Sequence, residues 1–137
     1  MSDASLSAAG VLFAVVFTIE LGGLSVLTYL TRKQAGYLDN PVRRALFTAG
    51  HAHAGVLVIF ALVALLYVDS ADLPDRLKWL VRTTMALAPI LMSASFFLSI
   101  APPQATAPNR LIALVYLGGL SLFIGSLTLG IGLLRAA

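Results

Sequence analysis

The chain has 137 residues, 59% hydrophobic and 11% charged, where soluble domains carry about 25% charged residues. With a mean hydropathy of +0.94, it reads as a single integral membrane domain. A net charge of +3 without a basic run excludes nucleic acid as a partner, and the lack of cysteine excludes disulfides, thiolate metal sites and cysteine nucleophiles.

The N-terminal residues Met1-Ser2-Asp3-Ala4 lack the basic region of a cleaved leader, so the first apolar segment is expected to stay in the mature protein. Four segments then reach the ~20 apolar residues that a spanning helix needs: 9–31, 42–68, 77–100 and 110–134. The first connection holds Gly36, Asp39, Asn40 and Pro41. The second holds three aspartates and Pro74. The third, from Ala101 to Asn109, is too rich in proline to be helical. The expected fold is all-α, an up-down four-helix membrane bundle with both termini on one side. Basic residues are nearly balanced between the two sides, which leaves orientation open.

The second span contains the only two histidines, in Gly50-His51-Ala52-His53-Ala54-Gly55. An ionisable, metal-binding side chain is costly in hydrocarbon, so it marks a functional site by default. Residues two apart on a helix point about 200° apart, so the pair does not grip one ion from a regular helix. One histidine is expected to face the working site and the other a different neighbour. Small residues flank both, with Gly50 one turn before His53. They clear space for a flat, bulky group, and a haem macrocycle with an imidazole axial ligand fits that description. The alternative is a pair of packed histidines bonded to backbone or to Glu20.

Counting 1.5 Å per residue from the helix ends places Glu20 of the first span level with His53. The same level collects Gly22, Gly23, His51, Met92, Ser93, Ser95, Tyr116 and Gly118. Glu20, the only acidic residue inside a span, is a candidate to orient a histidine ring. In the third span, Pro89 is expected to kink the helix and free the carbonyl of Met85. In the fourth, Gly118, Ser121, Gly125, Thr128 and Gly132 form a small-residue stripe that packs a helix closely, either within the subunit or between subunits.

The run Arg43-Arg44 … Gly50-His51-Ala52-His53-Ala54-Gly55-Val56-Leu57 resembles the second helix of styrene oxide isomerase, whose motif reads Ala-Arg-Ala-His-Ser-Gly. It is also similar to the Ala-His-x-x-Gly pattern of hydroxylaminobenzene mutase-like membrane proteins. Ser95-Phe96-Phe97-Leu98-Ser99, followed by a connection rich in proline and asparagine, resembles the corresponding region of the isomerase. The resemblance covers most of the chain in topology and rests in residues mainly on the histidine motif. It implies a homotrimer in a bacterial inner membrane with haem b near the subunit interfaces. The ferric iron would act as a Lewis acid on the oxygen of a small apolar epoxide or hydroxylamine. His53 matches the axial ligand, His51 falls where the family has arginine, and Arg43, Arg44 and Arg110 are expected to pair with the haem propionates.

The chain departs from the family at three substrate-orienting positions. Ile59 stands for an asparagine, Phe97 for a tyrosine, and Ala86 lies near an aspartate position. Glu20, His51 and Tyr116 are the residues left to orient a substrate. Two other functions compete with the isomerase reading. A b-type electron carrier or haem sensor would need a second axial ligand, from another subunit's histidine or from Met92. A cofactor-free membrane subunit would use the histidines structurally.

Overall fold

The computed structural model describes residues 1–137. It contains α1 (Asp3–Thr31), α2 (Pro41–Tyr67), α3 (Asp75–Ser99), a 3₁₀ turn at Arg110–Ala113, and α4 (Leu114–Ala136). There are no strands, and all four helices are long and apolar enough to cross a membrane. The expected spans are found. α1 begins at Asp3 rather than near residue 9 because the Ser2 hydroxyl caps it, accepting from the Ser5 N–H at 3.3 Å.

Local chemistry sets the helix ends. α1 closes with paired bonds from the Lys33 N–H to the Leu30 carbonyl and from the Gln34 N–H to the Tyr29 carbonyl. Lys33 takes the left-handed conformation (φ 48°) that this closing turn requires. α2 starts at Pro41, whose missing N–H costs nothing there, behind Asn40. The Asn40 side chain accepts from the Arg43 N–H at 3.0 Å and donates to the Ala105 carbonyl at 2.8 Å. This second bond ties the first connection to the third. At the opposite end, the Asp72 N–H donates to the Gly132 carbonyl at 2.9 Å and Ser2 bonds Asp69. The two termini and the second connection therefore share one side, as an up-down order demands.

The bundle is open rather than closed. α3 and α4 form the most extensive pair, α2 packs on α3, and α1 packs mainly on α2. α1 and α4 do not meet. The α3–α4 seam is built by glycine. A Cβ on Gly118 would lie 3.0 Å from the Met92 backbone nitrogen and 3.2 Å from the Ala88 carbonyl oxygen. A Cβ on Gly125 would meet Thr84 and Met85, and one on Gly132 would meet Leu73. Recurring every seven residues, these glycines let the backbones approach closely, which drives helix association in lipid. The glycines of the stripe thus pack within the subunit. The main core lies beside the seam, with Leu12, Val58, Ala61, Leu65, Val81, Met85 and Leu129 all buried.

A polar cluster fastens α1 to the α2–α3 connection. The Arg82 guanidinium pairs with Asp69 at 2.5 Å and donates to Ser5 at 2.8 Å, while the Ser2 N–H reaches Asp69 at 2.7 Å. Burial opposes ionisation of Asp69, but the Ser2 N–H, Arg82 and the Ser2 hydroxyl outweigh it and hold the carboxyl well below the usual carboxylate range. A carboxylate depressed in the fold stabilises it above the unfolded value of about 3.9, and that stabilisation is lost as pH falls below it.

Two outcomes follow for protein unfolded by heat in detergent and monitored by circular dichroism. Gly118→Val is expected to lose roughly 1–3 kcal/mol to overpacking, whereas Gly119→Ala, whose Cβ meets nothing within 4 Å, loses nothing. The Tm of the native chain falls as pH drops below about 4. Asp69→Asn starts from a lower Tm and loses less over the same interval.

Candidate functional site

α1 and α3 both lean on α2 but touch each other little, and a cleft of about 520 Å³ separates them. α2 forms its floor through Phe47, His51, Ala54 and Val58. These positions recur at three- and four-residue spacing and so share one helix face. α1 contributes Val15, Ile19, Gly22 and Val26, and α3 contributes Pro89, Ile90, Ser93 and Phe97. Pro89 lacks the N–H that would reach the Met85 carbonyl one turn earlier. Thr18 and Ser25 of α1 and Ile90 of α3 line the cleft yet are exposed, so its mouth opens sideways toward the bilayer. No charged side chain lines it.

His51 points from α2 toward α1. A Cβ on Gly23 would fall 2.7 Å from its Cε1, so the ring occupies the space that the missing side chain leaves. Nδ1 of His51 is buried without a hydrogen-bond partner, and so is Oγ of Ser93 across the cleft. Neighbouring α3 hydroxyls behave differently: Thr84, Ser95 and Ser99 donate to backbone carbonyls of the preceding turn.

His53 points the other way, as its spacing from His51 requires. Its Nδ1–H donates to the Ala49 carbonyl at 2.8 Å, one turn back, and its ring centroid lies 5.1 Å from that of Phe96. A carbonyl only accepts, so this bond assigns the proton to Nδ1 and the lone pair to Nε2. Nε2 makes no hydrogen bond in the fold and is not buried. Gly50 lets α3 approach this turn, since a Cβ there would come within 3.0 Å of Phe96 and Phe97. Ala52, Val56 and Phe60, on the outer surface of α2 around His53, are exposed and apolar.

The other sequence candidates disperse. Glu20 is exposed on the outer face of α1 and makes no hydrogen bond or ion pair with either histidine. Equal depth did bring His51 to Gly22 and Gly23, but Glu20 sits on a different side of the same helix. Tyr116 is 78% exposed on α4. Met92 packs against Gly118 in the α3–α4 seam. Arg43 is buried and its guanidinium is engaged: it donates to the Gly36 carbonyl at 3.2 Å and the Ala101 carbonyl at 3.0 Å, and lies 4.9 Å from the Phe47 ring centroid. Gly36 is needed in this clamp because it adopts φ +73°, with Pro103 against it. Arg43 therefore joins two connections through its two terminal nitrogens, while its buried Nε has no partner, and Arg44 and Arg110 are exposed near the same end.

Two features escaped the sequence reading. Ser93 was placed at the right depth, but only the fold makes it the unpartnered hydroxyl of a cleft. Arg82 had a visible signal, a guanidinium within the third apolar segment. The length of that side chain let three aspartates in the nearby connection compete for it.

Arg43→Met is expected to destabilise the protein by roughly 3 kcal/mol, because hydrogen bonds to charged groups contribute about 1.5–3 kcal/mol each. The 101–109 connection should become the preferred site of limited proteolysis. Arg44→Met should stay within about 0.5 kcal/mol of the native chain, as exposed substitutions usually do. Comparison of the chain with protein-family models, with curated proteins and with solved structures finds no match, so function is argued from the site itself.

Proposed function

We propose that this is a haem b-binding, multi-pass membrane protein of a bacterial inner membrane, with His53 as the single axial ligand. The observation that carries this reading is the His53 ring. Its Nδ1–H is committed to the Ala49 carbonyl, and its Nε2 lone pair is presented outward among small and apolar residues. A backbone carbonyl bonded to the far nitrogen fixes the tautomer and orientation of a ligating imidazole and raises its basicity. The sequence resemblance to styrene oxide isomerase points to the same residue.

The surroundings fit a flat macrocycle. Phe96 stands beside the ring, and Ala49, Ala52 and Val56 offer small apolar surface, whereas the space at Gly50 is taken by Phe96 and Phe97 of α3. Arg44 and Arg110 are the residues that would meet the propionates. Neither His51 nor Met92 is positioned beside His53, one facing the cleft and the other packed on Gly118. Within one subunit, then, His53 would be the only protein ligand, and an electron carrier would have to draw its second ligand from another copy of the chain. Ferric haem held by His53 would supply a Lewis acid for a substrate oxygen, which is compatible with a redox-neutral isomerase.

His53 lies on the outside of one subunit, so another copy of the chain would complete the pocket. Glu20 supports such an assembly, a homotrimer by the resemblance, because a carboxyl group on a lipid-facing surface is costly unless something covers it.

The visible spectrum of the detergent-purified protein tests the reading. A Soret band is expected that is lost in His53→Ala, kept in His51→Ala, and shifted by added imidazole. No band even after adding haemin, or a band lost only in His51→Ala, overturns it.

A further inference from the structure

We propose that the cleft between α1 and α3 is a second binding site, distinct from the His53 surface. Its ligand would be a small, neutral, ring-sized apolar molecule bearing one hydroxyl or carbonyl, which bonds His51 Nδ1 and Ser93 Oγ. His53 does not line this cleft, so the proposal does not depend on haem binding.

Size, lining and the placement of polar groups each narrow the ligand. A volume of about 520 Å³ lies within the roughly 300–1,000 Å³ of small-molecule sites, which are apolar with a few placed polar groups. With no arginine, lysine or carboxylate in the lining, a neutral ligand suits the cleft better than a phosphate or a carboxylate, whose charge would have His51 alone to face it. At one end Phe47 and Phe97 meet edge to face with centroids 5.2 Å apart, with Tyr29 beside Phe47. This aromatic wall suits a planar ring.

The polar requirement is specific. Ser93 is 9% exposed, and neither its hydroxyl nor His51 Nδ1 has a partner in the fold. Leaving a buried polar group unpaired costs about 1–3 kcal/mol. His51 and Ser93 both line the cleft and do not bond each other, so a ligand oxygen that reaches either one supplies a bond the fold leaves unmade. A hydroxyl or carbonyl oxygen suits the pair because the Ser93 hydroxyl donates and accepts, and an imidazole nitrogen does either according to tautomer. The sideways mouth admits a ligand already dissolved in the bilayer.

The test uses 1-naphthol, with naphthalene as the ring lacking the hydroxyl. Binding to the full-length purified protein is measured by equilibrium dialysis, in excess of uptake by matched detergent alone. Saturable binding of 1-naphthol at one per chain is expected, weakened at least tenfold in Ser93→Ala and in His51→Leu. Naphthalene should bind more weakly and be indifferent to both changes. Gly22→Phe should abolish binding of either ring, since Gly22 lines the cleft and has room for a Cβ, the nearest atom being His51 Nδ1 at 3.9 Å. If His51→Leu does not fold, Ser93→Ala and Gly22→Phe decide. Uptake of 1-naphthol equal to that of detergent, or unchanged in Gly22→Phe, overturns the site. Equal binding of the two rings overturns the role of the polar pair.

Discussion

Close approach of α3 and α4 is the constraint from which the other helix positions follow. In lipid the space between helices gains little from the hydrophobic effect, so contact depends on how near two backbones can come. Gly118, Gly125 and Gly132 remove the side chains that would hold α4 away from Ala88, Met85 and Leu73. With one face of α3 taken by α4, its remaining faces are left for α2 and for the cleft. α1 has no comparable seam and leans mainly on α2. The cavity beside it results from packing strong on one flank of the molecule and light on the other.

Histidine spacing then divides the labour. The two-residue offset turns the imidazoles to opposite sides of α2, one into a chamber and one onto an outer surface. Each ring is set by a different device. His51 is received by the bare backbone at Gly22 and Gly23, whereas His53 is held by the carbonyl one turn before it. A single helix thereby presents two imidazoles in unlike surroundings, one with an unpartnered buried Nδ1 and one with an accessible Nε2.

Much of this was legible in the sequence. Apolar length gave the four helices, and turn-forming residues gave the connections, because both are local properties. Depth was legible as well: counting along the axes brought His51 level with Gly22 and Gly23, which it touches. Rotation about each helix axis was not. Glu20 and Gly23 are three residues apart in a segment apolar on nearly every side, so no hydrophobic stripe distinguished the face turned inward from the face turned to lipid. The partners of Arg43 are hidden in the sequence for a related reason. Near a membrane boundary a guanidinium is read as facing water or a ligand, but its partners are carbonyls of two connections distant in sequence, Gly36 and Ala101.

α1 is fastened at its two ends by unlike materials. Hydrogen bonds through Ser2 and Ser5 hold one end, and rings of Tyr29, Tyr37 and Phe47 pack at the other. Leu12 is seated in the main core as well, but beyond it no residue of α1 is fully buried, so mechanically the second half of the helix is a beam supported near its tips. Such a beam bends most readily along its unsupported length, and here that length includes the wall facing His51. Whatever stiffness the chamber has there must come from the helix's own backbone ladder and from the molecules lying against its outer side.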